Sequence, residues 1–147
     1  MEKDELLTKA IQIAVDAHRN QFDKNGAPYI GHPIRVMNMG ITMDEKICGV
    51  LHDVVEDTFW TFEMLENEGY PQHIIEALKC VSKVSEEEPY GEFIERVKRN
   101  KLAIRVKIND LTDNLDVKRY NELGIKEIER LKKYLKWYRV LSNINVE

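Results

Sequence analysis

The sequence is poor in the residues that crosslink small domains and in those that interrupt helices. It has two cysteines, four prolines and seven glycines among 147 residues. Cys48 and Cys80 stand in apolar helical surroundings, which suits a reduced, cytoplasmic protein better than a disulfide scaffold. With 43% hydrophobic and 33% charged residues, the composition is that of a folded soluble chain rather than a disordered one.

Long hydrophobic runs and an excess of positive charge are also missing. No apolar run approaches the roughly 20 residues that a membrane span requires. The net charge is −4, so there is no strong general attraction for nucleic acid or for an anionic membrane. The acidic start of the chain does not have the form of a signal peptide. We therefore expect one domain over residues 1–147, with neither nucleic acid nor a membrane as its partner; these features do not indicate an oligomeric state.

Hydrophobic spacing predicts helices along most of the chain. Apolar residues recur at helical intervals over about 4–20, 71–81 and 125–141. In the last of these helices, the residues expected to face inward are Ile128, Leu131, Leu135, Tyr138 and Leu141. Residues 102–108 alternate as a strand would, but no other segment offers a strand partner, so we predict a helix there. The fold expected is all-α, a single helical bundle of about six to eight helices.

The stretch over residues 51–58, Leu-His-Asp-Val-Val-Glu-Asp-Thr, contains one imidazole and three carboxylates. Thr42 and Glu45 predict a capping box upstream, so a helix should begin near Met43 and continue through this stretch. Its polar residues share one arc of the helix, opposite the apolar face: His52, Asp53, Glu56 and Asp57. Acids at a helix C-terminus oppose the macrodipole. Because the sequence keeps these acids despite the electrostatic cost, we favour a functional site over a solvated helix end.

Two histidines and two aspartates from three segments form a candidate metal site, namely His32, His52, Asp53 and Asp110. Such a ligand set suits Mn²⁺, Fe²⁺ or Zn²⁺ better than Ca²⁺ or Mg²⁺, which prefer oxygen ligands. An ion of this kind lowers the pKa of a bound water. Glu56 and Asp57 follow the His-Asp pair by about one turn, where they could orient that water or transfer protons. The set predicts metal-assisted hydrolysis.

Four short segments resemble a known family, and they occur in its order. They are Ala-His-Arg-Asn-Gln at 17–21, Gly-Ala-Pro-Tyr-Ile-Gly-His-Pro at 26–33, the 51–58 stretch, and Val-Lys-Ile-Asn-Asp at 106–110 with Asn114. Here the chain resembles the HD-domain hydrolases of the RelA/SpoT type, which remove the 3′-pyrophosphate from (p)ppGpp. It is most similar to their short, stand-alone relatives without a synthetase domain. The resemblance covers about residues 6–121.

The resemblance implies a role for each candidate residue. It implies Mn²⁺ binding at the four metal positions and catalysis by Glu56 and Asp57. Substrate binding is expected at Lys24, Lys83, Lys107 and Asn114. The substrate implied is a nucleotide of the (p)ppGpp kind. Two alternatives stay open: an HD phosphohydrolase acting on another nucleotide or phosphoester, and a non-catalytic, metal-dependent nucleotide-binding module.

One departure from the family concerns recognition of the base. Asp23-Lys24 stands where the alarmone hydrolases have an Arg-Lys pair that packs on guanine. A carboxylate lacks the cation–π attraction of a guanidinium, about 0.5–2 kcal/mol, although it accepts hydrogen bonds from an amine or a hydroxyl. The last motif also differs, with Asn-Asp-Leu-Thr-Asp-Asn at 109–114 in place of Ala-Asp-Arg-Leu-His-Asn.

The remaining polar residues are expected to have structural or solvated roles. His18 should pack within its helix or support the site. Asp113 and Asp116 should be exposed acids, and Lys132-Lys133 a solvated helix face. Trp137 should belong to the core or to an interface.

Overall fold

The structure, a computed structural model, describes residues 1–144, and these form helices joined by short loops. The all-α prediction is confirmed; an isolated β-bridge joins Phe22 to Pro28. The expected domain limit at residue 147 lies outside the described residues. The helices are α1 (Lys3–Ala17), α2 (Gly31–Met39), α3 (Met43–Leu51), α4 (Val54–Asp57), α5 (Phe62–Asn67), α6 (Gln72–Val81), α7 (Tyr90–Val97), α8 (Lys101–Asn114), a 3₁₀ turn (Val117–Arg119) and α9 (Ile125–Ser142).

Side-chain caps begin three of these helices. Thr42 Oγ1 accepts a hydrogen bond from the amide of Glu45 at 3.1 Å, and Glu45 Oε2 accepts one from the amide of Thr42 at 3.3 Å. The predicted capping box therefore starts α3. Thr61 caps α5 and Asn100 caps α8 in the same way. Each cap satisfies an amide at a helix N-terminus that has no partner within the helix.

Helix α3 lies at the centre of the molecule and packs against α1, α2, α6 and α8. The segment with a strand-like alternation forms α8, as predicted. Gly49 allows α2 and α3 to approach closely, since a Cβ there would lie 3.2 Å from the backbone of Met37. Because His32 lies in α2 and His52 directly follows α3, this close packing fixes the distance between the two imidazoles. No helix among residues 1–144 is long and apolar enough to cross a membrane.

The helix expected to run through residues 51–58 is interrupted. α3 ends at Leu51, His52 and Asp53 form a turn, and the one-turn helix α4 follows. At this point His52 Nδ1 donates to the carbonyl oxygen of Gly49 at 2.6 Å. A side chain that bonds a backbone carbonyl competes with the helical ladder at that carbonyl. The break places His52 and Asp53 in the turn between α3 and α4, and Glu56 and Asp57 on α4.

The prediction of which α9 residues face inward is partly wrong. Leu141 is buried, but Ile128 and Leu135 are 42% and 43% exposed. The half-buried residues include Tyr134 and Trp137 instead. Part of α9 covers a polar cavity rather than the apolar core, so its inward positions carry polar and aromatic side chains. A search for apolar residues at helical spacing therefore selects positions next to those that face the cavity.

Candidate functional site

The structure brings the four predicted metal ligands together, although they come from α2, α8 and the turn after α3. His32 Nε2 lies 2.8 Å from Asp110 Oδ1 and 3.7 Å from Asp53 Oδ2. His52 Nε2 lies 3.0 Å from Asp53 Oδ2 and 3.3 Å from Asp110 Oδ1. All four residues are buried. Two imidazole nitrogens and two carboxylate oxygens thus converge on one small region.

The orientation of His52 shows what this region fits. The Gly49 carbonyl can only accept, so the hydrogen of the imidazole is on Nδ1. In the neutral ring, Nε2 then carries a lone pair. This atom is buried without a hydrogen-bond partner among residues 1–144, and it faces two carboxylate oxygens. A lone pair and two carboxylates repel one another unless a cation lies between them, so these residues fit a divalent metal ion.

His32 is oriented by Asp113, whose position was predicted wrongly. Asp113 is 2% exposed rather than a surface acid, and its Oδ2 accepts from His32 Nδ1 at 2.6 Å. Arg35 and Arg119 also donate to this carboxylate, at 2.7 and 3.1 Å. Although burial favours the neutral acid, the hydrogen bonds of His32 and Arg35 hold the pKa of Asp113 below its ordinary value. The signal available in the sequence was its spacing of three from Asp110, which puts both on one face of α8.

Lys107 holds Asp110 from the other side. Its Nζ donates to Asp110 Oδ2 at 2.7 Å, and Asn114 Nδ2 approaches Asp110 Oδ1 at 3.3 Å. Lys107 is buried and lies over the rings of Tyr90 and Phe93, 5.4 and 5.0 Å from their centroids. Burial alone would raise the pKa of Asp110, but the charges of Lys107 and His52 hold it well below the ordinary value. Asp110 therefore stays charged and presents Oδ1 to the histidines.

Tyr29 is a site residue that sequence reasoning included only as part of a family segment. Its hydroxyl donates to Asp53 Oδ2 at 2.5 Å, and its ring lies 5.1 Å from that of His18. His18 is buried, so its supporting role is as expected. The contact fixes Asp53 in the same way that Lys107 fixes Asp110.

Glu56 and Asp57 lie on α4, beside the ligands. Oxygens of Asp53, Glu56 and Asp57 lie within 4.8 Å of one another, and Glu56 Oε1 accepts from the amide of Lys83 at 2.7 Å. Both acids keep access to solvent. Nevertheless, loss of surrounding water and then the charges of Asp53 and Glu56 raise the pKa of Asp57 to about 7. A carboxylate of this pKa can accept a proton near neutral pH.

A cavity of about 410 Å³ opens above these residues. The four predicted substrate residues line it, together with Glu56, while Asp57 lines an adjoining cavity. The cationic residues that line the 410 Å³ cavity are Lys24, Lys83, Lys107, Arg119, Arg130 and Lys133. Lys132 and Lys133 are both exposed, as expected for a solvated helix face, but Lys133 also faces the cavity and its Nζ lies 4.2 Å from the centroid of the Tyr90 ring. The lining has six cations and four carboxylates, so the cavity is locally positive in a chain whose net charge is negative.

Asp23 also lines the cavity, but one of its carboxylate oxygens accepts hydrogen bonds from amides of its own loop. Its Oδ1 accepts hydrogen bonds from the amides of Asn25 and Ala27 at 2.9 and 3.0 Å. Its Oδ2 lies 3.6 Å from Arg119 Nη1. A guanidinium therefore lies next to Asp23, provided by the 3₁₀ turn rather than by the loop itself.

Comparisons with known proteins show what this chain is similar to. No family model matches the chain. It is 31% identical over 117 residues to the guanosine-3′,5′-bis(diphosphate) 3′-pyrophosphohydrolase of Haemophilus influenzae, covering 70% of the chain and 17% of that protein. It is 28% identical over 123 residues to the bifunctional (p)ppGpp synthase/hydrolase SpoT of Escherichia coli, covering 74% and 17%. The chain thus spans less than a fifth of these curated relatives.

A solved structure has the same fold. It is that of a metazoan ortholog of SpoT, described as hydrolysing ppGpp. The TM-score is 0.79 and the sequence identity 23%, with 94% of this chain and 85% of the other covered. In sequence and in fold, the chain belongs to the RelA/SpoT-type HD domains.

Proposed function

We propose that this protein is a divalent-metal-dependent phosphohydrolase that removes pyrophosphate from a nucleotide of the (p)ppGpp kind. The observation that carries the proposal is the buried Nε2 of His52, which faces Asp53 and Asp110 at the floor of a cation-lined cavity. The substrate is proposed by analogy with the relatives, one of which is named guanosine-3′,5′-bis(diphosphate) 3′-pyrophosphohydrolase.

The proposed metal ligands are His32, His52, Asp53 and Asp110. Mn²⁺ is the ion we favour, with Fe²⁺ and Zn²⁺ as alternatives, because imidazole and carboxylate together suit these ions. When bound, such an ion lowers the pKa of a water and offsets the charge of a phosphate. Tyr29, Lys107 and Asp113 would keep the ligands oriented without contacting the ion.

Proton transfer is assigned to Glu56 and Asp57. The amide of Lys83 holds Glu56 at the cavity wall, and Asp57 has a pKa of about 7. Lys24, Lys83, Lys107 and Asn114 would bind the substrate, because they line the cavity around these acids. The cationic side chains offset the charge of the phosphates, and the amide of Asn114 offers both a donor and an acceptor.

The direct test is release of pyrophosphate from ppGpp with Mn²⁺, with GTP and ATP as control substrates. We expect turnover of ppGpp that a chelator abolishes. Glu56→Gln should keep the fold and the metal but lower kcat by about 10²- to 10⁴-fold, as expected for a lost proton-transfer group. No release of pyrophosphate from ppGpp, or unchanged turnover in a folded Glu56→Gln protein, would contradict the proposal.

A second substrate is favoured by one specific observation. Asp23 occupies the position of the family's guanine-packing arginine, and its Oδ1 is engaged by loop amides. Another nucleotide or phosphoester is therefore the alternative substrate, with the same chemistry. A panel of adenine and guanine nucleotides carrying 2′- or 3′-phosphates would separate the two, since the preferred substrate has the highest kcat/KM.

We also propose that one domain spans residues 1–147 and acts in the cytoplasm. Cys48 is buried and Cys80 half-buried, and both are free thiols. Thiols of this kind persist in a reducing compartment.

A further inference from the structure

The turn that ends α1 is hydrogen-bonded to the short helix that carries the two acids assigned to proton transfer. Asn20 has a φ of 66°, in the left-handed region that asparagine adopts more readily than most residues. This reversal brings Gln21 back beside His18, whose carbonyl oxygen accepts from the amide of Gln21 at 3.1 Å. The side chain of Gln21 then reaches α4, where its Nε2 donates to the carbonyl oxygen of Asp57 at 3.2 Å. This contact links α1 to α4 across 36 residues of sequence.

The same contacts fix the orientation of the Gln21 amide and of the His18 ring. The carbonyl of Asp57 can only accept, so the NH₂ group of Gln21 faces it and Oε1 faces His18. His18 Nδ1 lies 2.8 Å from that oxygen and must donate to it. Burial lowers the pKa of His18, so the ring is neutral near pH 7 with its hydrogen on Nδ1. One tautomer of His18 therefore selects one orientation of Gln21.

Helix α4 depends on outside contacts because it has a single turn. It consists of four residues, and a helix this short is not stable by itself. The carbonyl groups at its C-terminal end have no partners within the helix, and Gln21 provides a partner for that of Asp57. The amide of Lys83 holds Glu56 from another side. Gln21 is therefore a hydrogen-bonded tie between α4 and α1.

Neither His18 nor Gln21 is among the residues that line the cavity. His18 is 2% exposed, and Gln21 is half-buried. Nε2 of His18 is buried and has no hydrogen-bond partner among residues 1–144, so the hydrogen bond of its ring in this part of the chain is the one at Nδ1. Any effect of these two side chains on a bound substrate must therefore pass through α4.

We propose that Gln21, oriented by His18, is a positioning residue that holds Asp57 in place for proton transfer. This role rests on the proposed function, in which Asp57 transfers protons, and it adds two residues outside the cavity to the catalytic arrangement. A displaced carboxylate transfers protons poorly even when the substrate is bound normally. Loss of the pair should therefore lower kcat and leave KM and Mn²⁺ affinity nearly unchanged.

Gln21→Glu tests the pair with a side chain of the same shape. It places an oxygen where the NH₂ group faced the carbonyl of Asp57, so an attraction becomes a repulsion. We expect kcat for ppGpp to fall by about 10- to 100-fold, the effect of a small misplacement of catalytic groups. Gln12→Glu is the matched control, because Gln12 is exposed on α1 and does not line the cavity. A wild-type kcat, or a change confined to KM, in a folded Gln21→Glu protein would overturn the proposal.

Two substitutions of His18 separate its effect on Gln21 from any chemistry of its ring. The amide nitrogen of His18→Asn can take the position of Nδ1 and donate to Gln21 Oε1, whereas His18→Ala has no donor. His18→Asn should therefore retain more of the wild-type kcat than His18→Ala. Equal losses of kcat in the two variants would show that His18 does not act through Nδ1. Circular dichroism of each variant verifies that it is folded.

Hydrogen exchange provides a measurement that needs no substrate. The amides of Asp57 and Thr58 donate within the turn of α4, so their exchange rates report how firmly this turn is held. Gln21→Glu should speed both by about fivefold, the loss of one hydrogen bond, and Gln12→Glu should change neither. NMR of the full chain measures these rates. Unchanged exchange in Gln21→Glu would overturn the proposal whether or not ppGpp is hydrolysed.

A failure of this positioning role is distinguishable from a failure of the proposed function. If the wild type does not hydrolyse ppGpp but the α4 amides exchange faster in Gln21→Glu, the hydrolase proposal fails and Gln21 is still the group that holds Asp57. If ppGpp is hydrolysed and Gln21→Glu changes neither the exchange nor kcat, the positioning role is wrong and the hydrolase proposal stands.

Discussion

At the scale of single residues, the site depends on side chains whose hydrogen bonds fix one orientation. His52 is bonded through Nδ1 to a backbone carbonyl, and His32 is bonded through Nδ1 to Asp113. In both rings the Nε2 atom is the one that points at the carboxylates of Asp53 and Asp110. Both imidazoles are therefore oriented by a hydrogen bond at Nδ1. The residues that accept these hydrogen bonds matter to the geometry of the site as much as the imidazoles do.

The first expectation at this scale concerns metal binding. His52→Ala removes a proposed ligand and should lower Mn²⁺ affinity by more than about tenfold. Loss of a residue that merely orients a ligand already lowers metal affinity by about tenfold or more, so loss of the ligand itself should have a larger effect. Titration calorimetry with Mn²⁺ measures this, with about one ion expected per wild-type chain. His73→Ala is the control, because His73 is exposed and bonds Asp44 outside the cavity. Mn²⁺ binding that survives His52→Ala unchanged would contradict the ligand assignment.

The second expectation follows from the raised pKa of Asp57. Its pKa is about 7 when folded and 3.8 ordinarily, so the folded state binds the proton more tightly than the unfolded state. This group's contribution to stability is greatest below pH 3.8 and is lost as the pH rises to about 7. Asp57→Asn should therefore raise the Tm of the metal-free protein at pH 8, and by less at pH 5. A higher Tm only at the lower pH would show that the sign is wrong.

At the scale of helices, the approach of α2 and α3 sets the spacing of the two histidines. Gly49 makes this approach possible, since a Cβ there would lie 3.2 Å from the Cα and amide nitrogen of Met37. Backbone atoms cannot move aside as a flexible side chain can. The two helices must therefore separate if a larger residue replaces this glycine.

We accordingly expect Gly49→Ala to lower the free energy of unfolding by about 1–3 kcal/mol, the usual effect of overpacking, and to weaken Mn²⁺ binding as well. Gly91→Ala is a matched control in another helix, where the new Cβ meets only the Trp137 side chain at 3.9 Å. It should keep stability and Mn²⁺ affinity near the wild type. Urea unfolding and calorimetry test both, and equal effects of the two substitutions would contradict the packing argument.

At the scale of the whole molecule, the distribution of charge matters more than its sum. The chain has a net charge of −4, yet six cationic side chains line one cavity. Such a cavity concentrates its field where the walls exclude water. The molecule as a whole does not attract anions, so a phosphorylated substrate depends on this local field.

This arrangement leads to an expectation about salt. Raising NaCl from about 0.05 to about 0.5 M shortens the screening length severalfold, so KM for ppGpp should rise while kcat changes less. Steady-state kinetics at several salt concentrations measure the slope. Lys132→Gln should keep the wild-type slope, and Lys133→Gln should reduce it. A KM independent of salt in the wild type would show that the cationic lining does not contribute to binding.

The sequence by itself determined the features that depend on nearby residues. The capping box of Thr42 and Glu45 and the helical course of residues 102–108 both follow from local hydrogen bonds and spacing. The order of the His and Asp motifs indicated the family, because each motif is short and contiguous. The chemistry of the four candidate ligands suggested a metal site and the resemblance supported it, but their spacing does not specify which helices pack together.

Only the tertiary structure decided the features that depend on residues far apart in the chain. Asp113 is buried because His32 and Arg35, about 80 residues earlier, bond its carboxylate. Lys133 lines the cavity because α9 folds back over Tyr90. A charged residue is solvated or buried according to the partners that the fold brings to it, and desolvation is offset only by such partners. Local periodicity contains no information about those partners, so the sequence alone placed Asp113 on the surface and did not show that the exposed Lys133 faces the cavity.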